Sequence, residues 1–163
     1  MKIDRLEIEL EDDADLFDGA SIILTPFPTY SRAPLDLLEG LLRELGFGRV
    51  VYSDPAHHDE MIAFTSQLCH LISAAYVRDD LAREHEGYSS GSFRDMVRVG
   101  APDPDIWTEL FFANRTPLLA VLERYIGRLG EFREALATGD RDRMHRSLEA
   151  SVAAKSAFGK GLK

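Results

Sequence analysis

Asp54-Pro55-Ala56-His57-His58-Asp59-Glu60-Met61-Ile62-Ala63-Phe64-Thr65-Ser66-Gln67-Leu68-Cys69-His70-Leu71-Ile72-Ser73-Ala74-Ala75 is the stretch where the chain turns from mixed to helical character. Asp54 is placed to cap, Pro55 suits a first helical turn, and the pattern predicts one helix over residues 54–78. Met61, Phe64, Leu68, Leu71, Ile72 and Ala75 mark its apolar side. Downstream the reading stays helical. Gly87-Tyr88-Ser89-Ser90-Gly91 interrupts, and a short amphipathic segment follows over residues 92–99. Asp103-Pro104-Asp105 opens a helix holding Trp107, Leu110 and Phe111. Thr116-Pro117 starts a long one with Leu118, Leu119, Val121, Leu122, Ile126, Leu129 and Phe132. Gly139-Asp140 is a stop and a new cap before a last helix with Met144, Leu148 and Val152. The apolar stripe of these last two helices is broad. An ordinary helical core accounts for it, and so does a helix-exchanging dimer.

Upstream the pattern differs. Ser21-Ile22-Ile23-Leu24-Thr25, closed by Pro26, reads as a buried strand. Pro34 begins a helix carrying Leu35, Leu38, Leu41, Leu42 and Leu45, which Gly46 ends, and Arg49-Val50-Val51-Tyr52-Ser53 returns as a second strand. Strand, crossover helix and strand form a βαβ unit, which favours parallel pairing. Leu6, Ile8 and Leu10 alternate with Glu7, Glu9 and Glu11 as a third strand would, and an acidic linker follows over residues 11–15. A frayed tail is expected over residues 159–161.

Composition narrows the function classes. The 163 residues are 45% hydrophobic and 29% charged, enough apolar material for a core without disulfides. Lys plus Arg number 19 against 28 Asp plus Glu, a formal charge of −9, with no basic stripe to neutralise phosphates, so no nucleic-acid partner is expected. No apolar run is long enough to span a membrane, and the N-terminus lacks the layout of a signal peptide. Cys69, the single cysteine, fits a reducing compartment. A soluble cytoplasmic protein is the expectation.

Few residues invite chemistry. His57, His58, Asp59, Glu60 and His70 match no metal-ligand spacing, so no metal is expected. Ser66, Gln67 and His70 are three and four residues apart on one helix side, where they form a satisfied polar patch or one wall of a polar pocket. Arg94, Asp95 and Arg98 follow the glycines. Two arginines a turn apart suit an anionic ligand, or a surface ion pair. Trp107 reads as core. Gly46-Phe47-Gly48 lies between helix and strand, the reverse of the order that a dinucleotide cradle requires, and no phosphate loop or nucleophile elbow is present.

An ordered set of motifs then gives the chain a family likeness. These are Asp15-Leu16-Phe17-Asp18-Gly19, Ile23-Leu24-Thr25-Pro26, His58-Asp59-Glu60-Met61-Ile62-Ala63-Phe64, Ser66-Gln67-Leu68-Cys69-His70 and Gly91-Ser92-Phe93-Arg94-Asp95, followed by Arg98-Val99, Trp107-Thr108-Glu109-Leu110 and Asn114-Arg115. The set resembles the C-terminal part of prephenate dehydrogenase, the NAD-dependent enzyme of tyrosine biosynthesis, over residues 13–149. The resemblance implies a mainly α fold, with an all-helical dimerisation and substrate-binding domain over residues 54–163. Residues 1–53 would be a small βαβ remnant of a Rossmann-like nucleotide domain, with the family's active site in the cleft between the two.

The resemblance also implies roles. Arg98 would bind a carboxylate of prephenate or its aminated analogue arogenate, with His70, Ser66, Gln67, Gly91 and Trp107 lining the same site. The dinucleotide glycines and the segment carrying the family's catalytic histidine have no counterpart. No catalytic residue is therefore assigned within the chain, and the chain alone is expected neither to bind NAD nor to turn over. Gln67 stands where many members have the first histidine of a Ser-His-Leu-Pro-His motif, and Cys69 where they have proline. Two readings follow: the substrate-binding and dimerisation part of such an enzyme, forming a homodimer through its C-terminal helices, or a free-standing non-catalytic helical dimer that binds a carboxylate ligand or a protein partner.

Overall fold

Two short strands, β1 (Ser21–Leu24) and β2 (Arg49–Tyr52), flank helix α1 (Arg32–Glu44) in a computed structural model that describes residues 17–29 and 31–158. The strands pair in parallel, Ser21 opposite Arg49 through Leu24 opposite Tyr52, so the crossover expected of a βαβ unit is formed. The readings of a strand near residues 6–10, an acidic linker over 11–15 and a frayed tail lie outside the described residues.

Helix α1 stops because of Gly46. At φ +95° this residue occupies a region that strains any side chain, and it lets the chain turn back so that Gly46 N–H reaches Arg43 C=O (3.1 Å) and Phe47 N–H reaches Leu42 C=O (3.1 Å). These two bonds satisfy carbonyls that the helix end would leave open. Phe47 then stacks on Phe17 with centroids 4.7 Å apart.

After β2 the chain is helical: α2 (Pro55–Ile62), a π-helical turn (Ala63–Gln67), α3 (Leu68–Tyr76), a 3₁₀ turn (Asp80–Glu84), α4 (Gly91–Val97), α5 (Pro104–Ala113), α6 (Arg115–Thr138) and α7 (Arg141–Phe158). The fold is thus mainly α with a small parallel sheet, and the chain divides into two compact units, Met1–His58 and Asp59–Lys163. Caps sit where the sequence placed them. Asp54 accepts from His57 N–H at 3.0 Å, and that bond holds its carboxyl below the ordinary range. Asp103 accepts from the N–H groups of Asp105 and Ile106, and Asp140 from that of Arg143. Gly139, at φ +66°, ends α6.

The single helix expected over residues 54–78 is a correction. It is three pieces, and its middle is the π-helical turn. Such a turn holds an extra residue and rotates everything after it by roughly 100° relative to a regular helix. Met61 and Phe64 consequently face out, while Ala63 and Leu68 are buried against Leu118 and Val121 of α6. Leu71, Ile72, Phe111, Leu122 and Tyr125 pack around that core. Much of the apolar stripe farther along α6 and α7 stays exposed, including Leu119, Ile126, Leu129, Leu136, Leu148 and Val152.

The turn geometry makes a testable contrast between two glycines. Gly46→Ala is expected to destabilise the first unit by about 1–2 kcal/mol, since its φ disfavours a Cβ. Gly40→Ala, in mid-helix with nothing within 4 Å of the new methyl, is expected to stabilise it by about 0.5–1 kcal/mol. Urea unfolding followed by circular dichroism checks both signs.

Candidate functional site

Within the second unit, the end of the π-helical turn and the start of α3 run past α5 with two cross-contacts. Gln67 Nε2 donates to Leu110 C=O at 3.1 Å, and the His70 ring lies over Trp107 with centroids 3.7 Å apart and planes tilted by 36°. Three residues forward on one helix match three residues back on the other, which is an antiparallel register. Asn114, at the junction of α5 and α6, completes the frame. Its Nδ2 donates to Gln67 Oε1 (2.8 Å) and to Asp59 C=O (2.9 Å). Gln67 is buried, with both ends of its amide bonded to the protein. Expected as a wall residue, it is built into the frame instead.

His70 has the opposite character. Its Nδ1 is buried and has no hydrogen-bond partner among the described residues, a cost that a protein tolerates where a ligand or a water completes the bond. With the ring proton on Nε2, Nδ1 is a bare acceptor, and the neighbouring indole walls off one face. Trp107 in turn packs on Phe111 at 5.3 Å. This imidazole–indole pair is the polar, aromatic wall of the candidate site. Ser66 is half-buried at the end of the π-helical turn.

Gly91 and Arg98 bracket α4. Gly91 is its exposed first residue, with open space where a Cβ would stand. Arg98 follows its last turn, is exposed, and makes no ion pair among the described residues. An unpaired guanidinium keeps its fork of donors available to a carboxylate. The structure therefore brings His70, Gln67 and Trp107 together on the α3–α5 seam, and puts Gly91 and Arg98 at the two ends of α4.

Asn114 was missed as a functional residue. It stands among the quoted motifs, but nothing local distinguishes a framing asparagine from a helix cap. A further cavity of about 660 Å³ between α3, the 3₁₀ turn and α4 is lined by none of the six residues named from the sequence.

No group of three or more His, Cys, Asp or Glu side chains converges among the described residues. Gly48, the second glycine of Gly46-Phe47-Gly48, is committed to the chain itself: a Cβ there would lie 2.9 Å from the Gly19 Cα. Gly46-Phe47-Gly48 therefore does not fit a dinucleotide, and no step through one is assigned to it.

Loss of the Gln67 amide is the direct test of the frame. Gln67→Leu leaves one Asn114 donor unsatisfied and removes one of the two N–H groups that Leu110 C=O accepts, and is expected to cost about 1–3 kcal/mol in urea unfolding. Because Trp107 is the only tryptophan, its emission should shift as the His70 stack loosens. Unchanged stability and emission would remove Gln67 from the frame.

Comparison with known proteins places these features in context. The family described as "Prephenate dehydrogenase, dimerization domain" matches residues 54–150. Cyclohexadienyl dehydrogenase of Zymomonas mobilis is 32% identical over 151 residues, covering 89% of this chain and 51% of that protein. Prephenate dehydrogenase of Bacillus subtilis is 24% identical, covering 80% and 36%. The chain thus spans about a third to a half of the length of these relatives. Among solved structures, Synechocystis arogenate dehydrogenase superposes with a TM-score of 0.73 at 26% identity, over 88% of this chain and 54% of that one. Aquifex aeolicus prephenate dehydrogenase, solved in complex with hydroxyphenyl propionate and NAD+, shares the fold with a TM-score of 0.68 at 21% identity, over 88% and 52%.

Proposed function

Because the chain belongs to the prephenate dehydrogenase family through its dimerization domain, we propose that it is the substrate-binding and dimerising C-terminal part of such an enzyme. Residues 1–53 are then the remnant of the nucleotide domain, and residues 54–163 the helical domain. The reaction is the oxidative decarboxylation of prephenate, or of its aminated analogue arogenate, with NAD as hydride acceptor. The observation that carries the reading is the His70–Trp107 pair with its unpartnered Nδ1, within the matched region.

What this chain's own residues do follows from their chemistry. A substrate with a ring, a ring hydroxyl and carboxylates needs a flat apolar wall, a hydroxyl partner and a cation. Trp107 supplies the wall, His70 Nδ1 accepts from a hydroxyl, and Arg98 holds a carboxylate through two parallel N–H donors. Gly91 leaves room for the ligand at the start of α4, Ser66 borders the site, and Gln67 holds the histidine in register. No described residue is assigned as the base. A free-standing, carboxylate-binding dimer without catalysis is the second reading. NADH formation by this chain with prephenate and NAD would exclude that second reading.

Arg98→Ala is expected to weaken prephenate binding about tenfold to a hundredfold, the span of charged hydrogen bonds worth about 1.5–3 kcal/mol. Arg98→Lys should restore only part of that, since an ammonium lacks the fork. Calorimetry on the chain measures both, with circular dichroism confirming that the fold is kept. Equal affinity in all three proteins would sink the assignment.

The uncovered stripe on α6 and α7 supports a homodimer. Light scattering after gel filtration should give twice the chain mass of 18.3 kDa. Leu148→Glu, which sets a charge in the stripe, should shift the population toward monomer. A persistent monomer at high concentration would contradict the dimer.

A further inference from the structure

We propose that the cavity between the C-terminal end of α3, the 3₁₀ turn and α4 is a second ligand site, one that takes an arylalkyl ammonium ion. Its lining includes none of the residues assigned to the carboxylate site proposed above; Gly91, between the lining Ser90 and Ser92, is where the two adjoin, and elsewhere helix geometry separates them. Tyr76 lies six residues after His70 on α3, and Phe93 and Met96 precede Arg98 by five and two residues at α4. At about 100° per residue, each cavity residue projects roughly 120–160° away from the residue assigned to the other site. The two helices therefore turn opposite faces to the two sites.

The cavity has the size and the walls of a small-molecule site. Its volume of about 660 Å³ falls within the usual range for such pockets. Phe93 is the centre of its wall: the His85 ring stacks on it at 4.8 Å with planes 28° apart, and Tyr76 meets it at 6.1 Å. Ser89 Oγ lies 3.3 Å from His85 Nδ1 and fixes the orientation of that ring. Tyr88, another lining residue, is 93% exposed, so its ring face is open to a ligand. Aromatic faces carry negative potential and attract cations.

Charge selects the ligand class. Asp79 is the one carboxylate lining the cavity, and neither lysine nor arginine lines it. One Asp79 oxygen accepts from Leu81 N–H at 2.9 Å, which holds the carboxylate at the cavity edge. An anion would meet neither a guanidinium nor a lysine ammonium there. A cation gains a carboxylate and ring faces together, and an aryl group on the same molecule gains the stacking wall of Phe93 and His85.

The experiment is a titration of the isotope-labelled chain with 2-phenylethylammonium, followed by amide shifts in NMR spectra. Movement is expected at Tyr76, Asp79, Tyr88 and Phe93, while the Trp107 indole and the His70 and Arg98 amides, which mark the other site, stay still. Tetramethylammonium, a cation without a ring, and 3-phenylpropionate, a ring with an anion, should each bind there at least about tenfold more weakly. Asp79→Asn keeps an oxygen for Leu81 N–H but removes the charge, and should weaken 2-phenylethylammonium by about tenfold. Phe93→Leu, which keeps an apolar side chain but removes the ring, should do the same if the chain stays folded. Silent amides, as when a second copy of the chain closes the cavity, would overturn the proposal. So would an Asp79→Asn variant that binds as well as the parent, either control binding as tightly, or a probe that moves the Trp107 indole.

Discussion

A carboxamide can be buried only if both of its ends are bonded, and in this chain that constraint falls on Gln67. Its partners come from elements that are separate in sequence: Leu110 on α5, and Asn114 at the α5–α6 junction, which itself reaches Asp59 on α2. Leaving one such group unsatisfied costs about 1–3 kcal/mol, a large part of the stability of a small domain. Satisfying all of them at once fixes how α2, α3, α5 and α6 meet. The His70–Trp107 contact follows from the same register, one helical turn along. The site thus depends on a bond network that contains none of the charged groups expected of it.

The π-helical turn makes that network possible. Its extra residue brings Ala63 and Leu68 onto the core with Leu118 and Val121 while also pointing Gln67 at Leu110. In a regular helix these residues could not all face the same neighbours. The local cost of the wider turn is offset by burial on one side and by the amide bonds on the other. Thr65, inside the turn, donates its hydroxyl back to Met61 C=O at 2.7 Å, a further bond for a backbone that departs from the α pattern.

Helices α3 and α4 meet along a narrow seam. Ser73, almost fully buried, donates to Met96 C=O at 2.6 Å, and Gly100 sits so close that a Cβ would lie 2.6 Å from Val77 Cγ1. Small residues at the seam let the helices approach, and their outer faces are left for other contacts. One face of α4 ends at the unpaired Arg98, and the other borders an aromatic cavity with a single carboxylate. The spacing explains the two faces: Phe93 and Met96, three residues apart, share the cavity side, while Arg98 lies five and two residues beyond them and projects elsewhere.

The sequence by itself determined a good deal of this molecule. The parallel strand–helix–strand unit shows in the pattern of its apolar runs, and the caps at Asp54, Asp103 and Asp140 and the stops at Gly46 and Gly139 are local, because each depends on one residue's φ or on a side chain reaching an N–H two or three residues away. The motifs also carried the family, through residues spread over most of the chain. Tertiary structure decided the rest. Nothing in Ala63-Phe64-Thr65-Ser66-Gln67 announces a π-helical turn, since its stability comes from partners some forty-odd residues distant, and the face assigned to Met61 and Phe64 was accordingly wrong. Gln67 looked like a ligand group for the same reason: a polar side chain shows its chemistry in the sequence, but whether its bonds go to a ligand or to the protein is settled only when Leu110 and Asn114 arrive beside it.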